Sequence, residues 1–178
     1  MAPKITTDSG ALSVEMGAEA VAIGDGTATS GSVDLTVKDN GKVAIAKGNA
    51  TACSGATGDG AYADAGTFGA ADGADLLFTW TRTSSGESDG AALSSSTTRL
   101  LAIDLPIDFR GGPKVREVYS ESAASPDQLA ELDIHGSSAV AASDSDAAGA
   151  ATHAEAYTDA TALVGYAEIS AYANVIVG

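Results

Sequence analysis

The sequence has little positive charge. Nine lysine and arginine residues stand against 24 aspartate and glutamate residues, so the 178-residue chain carries a formal net charge of -15 at pH 7. A protein that binds nucleic acid neutralises phosphates with a basic surface, and binding to an anionic membrane makes the same demand. We therefore expect neither nucleic acid nor an anionic membrane among the partners of this chain.

Residues that carry common catalytic chemistry are also scarce. Cys53 is the single cysteine, so no disulfide can form within the chain, and His135 and His153 are the only histidines. The chain contains no Gly-x-Ser-x-Gly elbow, no phosphate-binding loop and no His-Glu-x-x-His pair. Asp104 and Asp108 share one face of a predicted strand, which is more typical of a solvated face than of a glycosidase pair. These observations predict a protein that is not an enzyme.

Long hydrophobic runs are absent as well. No apolar stretch reaches the roughly 18 residues of a membrane-spanning helix, and the first five residues lack the apolar core of a secretory signal. Alanine supplies nearly half of the hydrophobic residues, which make up 44% of the chain, whereas aromatic residues make up 5%. We therefore expect no membrane insertion, and a thin core in which small side chains meet between closely spaced layers.

The sequence is rich in residues that alternate between apolar and polar with a period of two. Residues 32–46 show this pattern on both sides of a turn and predict a β-hairpin. A three-residue loop over 39–41 would pair Val37 with Val43. It would also place Gly41 in the left-handed conformation that follows a type I turn.

Two further strands are predicted over residues 75–83 and 101–109. In the first of these, Leu76, Phe78 and Trp80 share one face and threonines occupy the other. Because large aromatic side chains dominate most cores, Phe78 and Trp80 are the expected core anchors of the fold.

These patterns predict an all-β fold, a two-sheet β-sandwich of about eight to ten strands with jelly-roll-like or immunoglobulin-like connections. We expect residues 1–178 to form a single domain, because a second core in a chain of this length would be very small. One short helix is predicted near 125–135. It would begin at Ser125 with Pro126 at its first helical position.

The C-terminal segment 163–178 has the longest alternating pattern. At roughly 3.3 Å per residue it would extend for about 50 Å, which is longer than an ordinary strand. It therefore bends between two sheets at Gly165 or at a bulge, or it projects beyond its own domain. We interpret this segment as an inter-subunit strand whose apolar face forms the assembly surface, namely Ile169, Ala171, Ala173, Val175 and Val177.

Aspartates cluster at glycine-rich turns. Calcium requires about six to eight oxygen ligands, and flexible loops can supply them. The candidate metal ligands are Asp25, Asp59, Asp64, Asp72, Asp75, Asp144 and Asp146. The alternative is that these residues are solvated turn aspartates, since aspartate is favoured in turns for its own backbone hydrogen bonds.

Together these features predict a non-enzymatic extracellular or cell-surface structural protein. We expect it to self-assemble, as a subunit of a fibre, biofilm matrix or surface layer, by β-strand complementation with calcium as a stabilising ion. The alternative is a calcium-dependent carbohydrate-binding or adhesin module in which Trp80, Tyr62 or Tyr119 stacks on sugars. Exposed aromatic residues grouped on one face would favour this alternative.

Overall fold

The computed structural model describes residues 11–88, 90–105, 118–120, 134–149 and 152–178. They form ten strands: β1 (Leu12–Ile23), β2 (Gly26–Asp39), β3 (Ala44–Thr57), β4 (Tyr62–Asp72), β5 (Leu76–Ser88), β6 (Ala91–Asp104), β7 (Val118–Ser120), β8 (Ser137–Ala148), β9 (Thr152–Leu163) and β10 (Tyr166–Val177). No helix that could cross a membrane occurs in these ranges. The helix predicted near 125–135 lies outside the described residues, apart from its last two positions.

The strands form two five-stranded sheets packed face to face, so the predicted β-sandwich is confirmed. The first sheet, here called the β10 sheet, has the order β7-β4-β1-β10-β9, and the second, the β3 sheet, has the order β5-β6-β3-β2-β8. Most neighbouring strands are antiparallel, and β2 and β8 form a parallel pair. Each sheet turns one face towards the other sheet and one face towards solvent.

The core between the sheets is built largely from alanine, with a few larger side chains such as Leu35 and Ile169. The sheets approach closely, because a Cβ atom at Gly31 would overlap Cδ1 of Ile169 and one at Gly48 would overlap Sδ of Met16. The predicted thin core of small side chains is therefore confirmed.

The side of β5 that faces inwards differs from the prediction. Phe78 and Trp80 are 60% and 51% exposed on the outer face, so the expectation that they anchor the core was wrong. The inward positions are taken by Leu77 and the threonines. There Thr81 Oγ1 lies 3.1 Å from Thr98 Oγ1, which in turn lies 2.8 Å from Thr67 Oγ1 of the opposite sheet. These hydrogen-bonded hydroxyls fit a narrow space that could not hold an indole ring.

The β2–β3 hairpin is confirmed, but its loop has four residues rather than three. Val37 pairs with Ala46, not with Val43. The Asn40 side-chain oxygen accepts hydrogen bonds from the backbone amides of Lys42 and Val43, at 2.9 and 3.0 Å, and this capping widens the turn. Gly41 has φ +76, in the left-handed region predicted for it.

The C-terminal segment reverses direction at Gly165, but the predicted bend between two sheets was wrong, because β9 and β10 are neighbours in the same sheet. Gly165 has φ +77 in the turn between β9 and β10. The alternative, in which the segment projects from its own domain, was wrong, because β10 pairs with β1 along one edge and with β9 along the other. The five predicted assembly residues point into the core of their own chain and are buried: Ile169, Ala171, Ala173, Val175 and Val177. A strand with both edges paired has no backbone groups free for a neighbouring subunit.

Candidate binding surface on the outer face of the β3 sheet

The predicted calcium ligands are spread over the molecule. Asp25 lies in the β1–β2 turn and Asp59 in the β3–β4 turn, whereas Asp64 and Asp72 are on β4. Asp75 comes directly before β5, and Asp144 and Asp146 are on β8. Across the described ranges, no three histidine, cysteine, aspartate or glutamate side chains form a group that could hold a metal ion. Calcium binding therefore stays a prediction that no geometry of the described residues supports.

Asp104, at the end of β6, lies beside the carboxylate of Asp75. Partial burial raises the pKa of Asp104, and the neighbouring carboxylate of Asp75, which also shares a hydrogen bond with it, raises it further, with a smaller effect from Asp39. Asp75 is itself held in place, because its Oδ2 accepts a hydrogen bond of 2.8 Å from the backbone amide of Leu105.

Replacing Asp104 by asparagine is expected to stabilise the protein at neutral pH. A carboxyl whose folded-state pKa is raised favours folding while it is protonated and opposes folding as the pH rises through its ordinary value of 3.8 and above. The amide keeps a donor for Asp75 and carries no charge. We expect a gain of about 0.5 kcal/mol at pH 7, since solvent screens this partly exposed site, and no gain near pH 3. Urea denaturation at both pH values measures it.

Asp59→Asn is the control, because it removes the same charge from an exposed turn. An equal gain from both variants would attribute the effect to net charge rather than to the contact between Asp104 and Asp75.

The outer face of the β3 sheet carries a surface of large apolar, aromatic and basic side chains. We call it the cationic-aromatic platform, and it comprises Ile45, Lys47, Leu76, Phe78, Trp80, Arg82, Arg99, Leu101 and Ile103. Strand register brings these residues together from β3, β5 and β6. Phe78 lies beside Leu101 and Trp80 beside Arg99 across the β5–β6 pair, while Lys47 lies beside Leu101 across the β3–β6 pair.

Basic side chains frame the aromatic residues of the platform. The guanidinium carbon of Arg99 lies 5.5 Å from the centre of the Trp80 ring, within the range of a cation–π contact. None of the outward positions of β3, β5 and β6 whose side chains are described holds a carboxylate. A shallow depression of about 430 Å³ adjoins the platform and is lined by Asp34, Thr36, Lys38, Ile45, Lys47, Gly48 and Asn49.

The basic residues of the described ranges are confined to one of the two sheets. The lysines and arginines within the described ranges all belong to the β3 sheet or its β2–β3 turn: Lys38, Lys42, Lys47, Arg82 and Arg99. The outer face of the β10 sheet holds no lysine or arginine at its described positions. It holds carboxylates from four strands: Glu15, Glu19, Asp64, Asp72, Glu155, Asp159 and Glu168.

Aromatic side chains lie among these carboxylates, and we call this surface the acidic face. The Tyr172 hydroxyl donates a hydrogen bond of 3.1 Å to Glu15, and the Tyr166 hydroxyl donates one of 2.5 Å to Glu168. The ring of Phe68 packs against that of Tyr172 with centres 6.4 Å apart. The acidic face is thus a tyrosine-rich surface whose carboxylates are partly positioned by neighbouring hydroxyl groups.

The remaining sequence-predicted residues do not join the platform. Tyr62 is half-exposed on the opposite sheet, and the side chain of Tyr119 lies outside the described part of the chain. On the exposed strand β9, Nε2 of His153 lies 3.8 Å from Oε2 of Glu155. Cys53 is exposed on β3, and desolvation raises the pKa of its thiol, so the thiol is protonated at neutral pH rather than activated as a nucleophile.

The sequence pattern correctly placed Leu76, Phe78 and Trp80 on one face of the strand, but we predicted that this face lies towards the core, and it lies towards solvent. The signal that would have corrected this lies in the partner strand. Ser94, Ser96 and Thr98 alternate along β6 in step with the threonines of β5. Two hydroxyl-bearing rows of equal period can share one face and satisfy each other by hydrogen bonding.

Comparison of the chain with protein-family models, with curated proteins and with solved structures finds no match.

Proposed function

We propose that the protein is a non-enzymatic structural protein of the cell surface or extracellular space, whose copies associate into a fibre, matrix or surface layer. The observation that supports this most is the cationic-aromatic platform. Its six apolar and aromatic residues cover roughly 200 Å² at ordinary strand spacing, and the most extensive exposed apolar patch of a protein is often an interaction site. Phe78 and Trp80 remain in solvent although the core is filled mainly by alanine.

Strand complementation, if the assembly uses it, has to begin at a sheet edge rather than at β10. β5 and β9 are edge strands of 13 and 12 residues, and almost all of β9 is exposed. Such edges offer unpaired backbone donors and acceptors to a second chain. These edge strands support association between copies, but they do not show which surface contributes most to that association.

The platform is tested with the double variant Phe78→Ser/Trp80→Ser. Sedimentation velocity over a range of concentrations, with negative-stain microscopy, is expected to show assembly of the wild-type protein and monomers of the variant. Val164→Ser is the matched control, because Val164 is a fully exposed apolar residue in the β9–β10 turn. A wild-type protein that stays monomeric at the highest concentration reached would overturn the proposed function.

Calcium enters the same experiment as a separate arm. A rise in melting temperature and a measurable heat on titration would support calcium as the stabilising ion. No heat and an unchanged melting temperature would remove calcium from the proposal and leave the assembly untouched.

A second candidate is the carbohydrate-binding or adhesin module. Phe78 and Trp80 lie two residues apart on one strand with both rings exposed, which is an arrangement on which a sugar chain can stack. The framing lysines and arginines would favour an anionic sugar chain over a neutral one. The assembly state of the wild-type protein is enough to separate the two candidates, since a glycan-binding module has no need to assemble.

A further inference from the structure

We propose that the cationic-aromatic platform of one copy binds the acidic face of a second copy, so that the molecules stack head to tail. This inference rests on the proposed function and names the partner for the same surface. The two surfaces lie on the outer faces of the two sheets and therefore on opposite sides of the sandwich.

Charge complementarity is the first argument for this partner. The outward positions of β3, β5 and β6 carry Lys47, Arg82 and Arg99 without a described carboxylate among them. The acidic face carries seven carboxylates without a lysine or arginine at a described position. Complementary potentials select the partner and its orientation, whereas two platforms or two acidic faces would repel each other.

Shape and size agree with this pairing. The platform spans three strands and the acidic face four, and strands about 12 residues long with a spacing of about 4.8 Å cover roughly 600 to 800 Å². A specific interface buries a comparable area on each partner. The aromatic rings of Phe78 and Trp80 would meet the tyrosines of the acidic face, and aromatic residues are typical of interface centres.

The charge distribution also sets the position of one copy on the next. On the β8 side, the outer face of the β3 sheet is acidic, with Asp34, Asp144 and Asp146 in adjacent strands. The acidic face of a second copy would be repelled there, so it is offset towards β5 and β6. Because the contact joins two different surfaces, every pair of copies still has one free platform and one free acidic face. Further copies can add at both ends, and this produces an open filament.

The test uses two charge-reversal variants of the full chain. Lys47→Glu/Arg82→Glu disables the platform, and Glu19→Lys/Glu168→Lys disables the acidic face. Each variant alone should need a concentration about tenfold or more above that of the wild type to assemble, because like charges then face each other. An equimolar mixture should form heterodimers that do not grow, since one intact platform meets one intact acidic face.

Matched controls separate this contact from net charge and from misfolding. Asp25→Lys/Asp59→Lys changes the net charge as much as the acidic-face variant does, but in the exposed β1–β2 and β3–β4 turns, outside both surfaces, and it should still assemble. Lys42→Glu adds negative charge in the β2–β3 turn, away from the platform. Circular dichroism melting of every variant establishes that it is folded.

The outcomes separate the two levels of the proposal. If the wild-type protein assembles but the variants assemble equally well, or their mixture stays monomeric, the head-to-tail contact is wrong and the proposed function stands. If the wild-type protein is monomeric and binds dextran sulfate in a manner that Lys47→Glu/Arg82→Glu abolishes, the platform serves an anionic glycan. In that case both the second-copy partner and the assembly are overturned.

Discussion

Replacing Ile169 by alanine is expected to lower the free energy of unfolding by about 2 to 5 kcal/mol, the range for truncating a buried isoleucine. Ile169 is 1% exposed on β10, and its Cδ1 occupies the space that a Cβ atom at Gly31 of the facing sheet would need. The glycine backbone cannot move a side chain into the vacated volume, so little of the cavity can be refilled. The loss therefore belongs in the upper part of that range.

Ile176→Ala is the matched control, because Ile176 lies on the same strand with 37% of its surface exposed on the outer face. It should change the stability by about 0.5 kcal/mol, the usual size for a surface position. Urea denaturation of both variants at two protein concentrations measures the difference. If Ile169 acted between subunits, its effect would grow with concentration, since association stabilises by mass action. An effect that depends on concentration would contradict the place of β10 inside its own sheet.

The features that follow from local chemistry were predictable. Alternation identified the strands around residues 32–46 and 75–83, and Gly41 has the left-handed backbone predicted for its turn. These features depend on neighbours in the sequence, which is why a single sequence was enough to predict them.

The side of a strand that faces the core was harder to predict. A rule based on size places Phe78 and Trp80 inside, and in this fold that rule fails. The distance between the sheets decides the matter, because closely spaced sheets admit alanine and threonine but not an indole ring. That distance is a property of both sheets together and is not encoded in the pattern of any one strand.

The candidate site was hidden for a related reason. Lys47, Arg82 and Arg99 come from three strands far apart in sequence, and only the register of β3 and β5 on β6 makes them neighbours. The hairpin shows the same dependence on a smaller scale. Its loop is longer than parity suggested, because the side chain of Asn40 accepts two backbone hydrogen bonds that a count of apolar residues does not include.

The close spacing of the sheets can itself be tested by adding volume. Ala18 is fully buried on β1 and lies between Ala171 of β10 and Thr67 of β4, which are both buried. Ala18→Leu is expected to destabilise the protein by about 1 to 3 kcal/mol through overpacking. For a domain of this size each kcal/mol lowers the melting temperature by about 2 to 4 °C.

Ala142→Leu supplies the control, because Ala142 is exposed on the outer face of β8 and a larger side chain there meets solvent. Calorimetric melting should show a clear fall for Ala18→Leu and almost none for Ala142→Leu. At a site with free space around it, the exchange of alanine for leucine would add apolar burial and raise the stability. If Ala18→Leu melted at or above the wild-type temperature, the interior would have room for large side chains. The exposure of Phe78 and Trp80 would then need a cause other than the narrow space between the sheets.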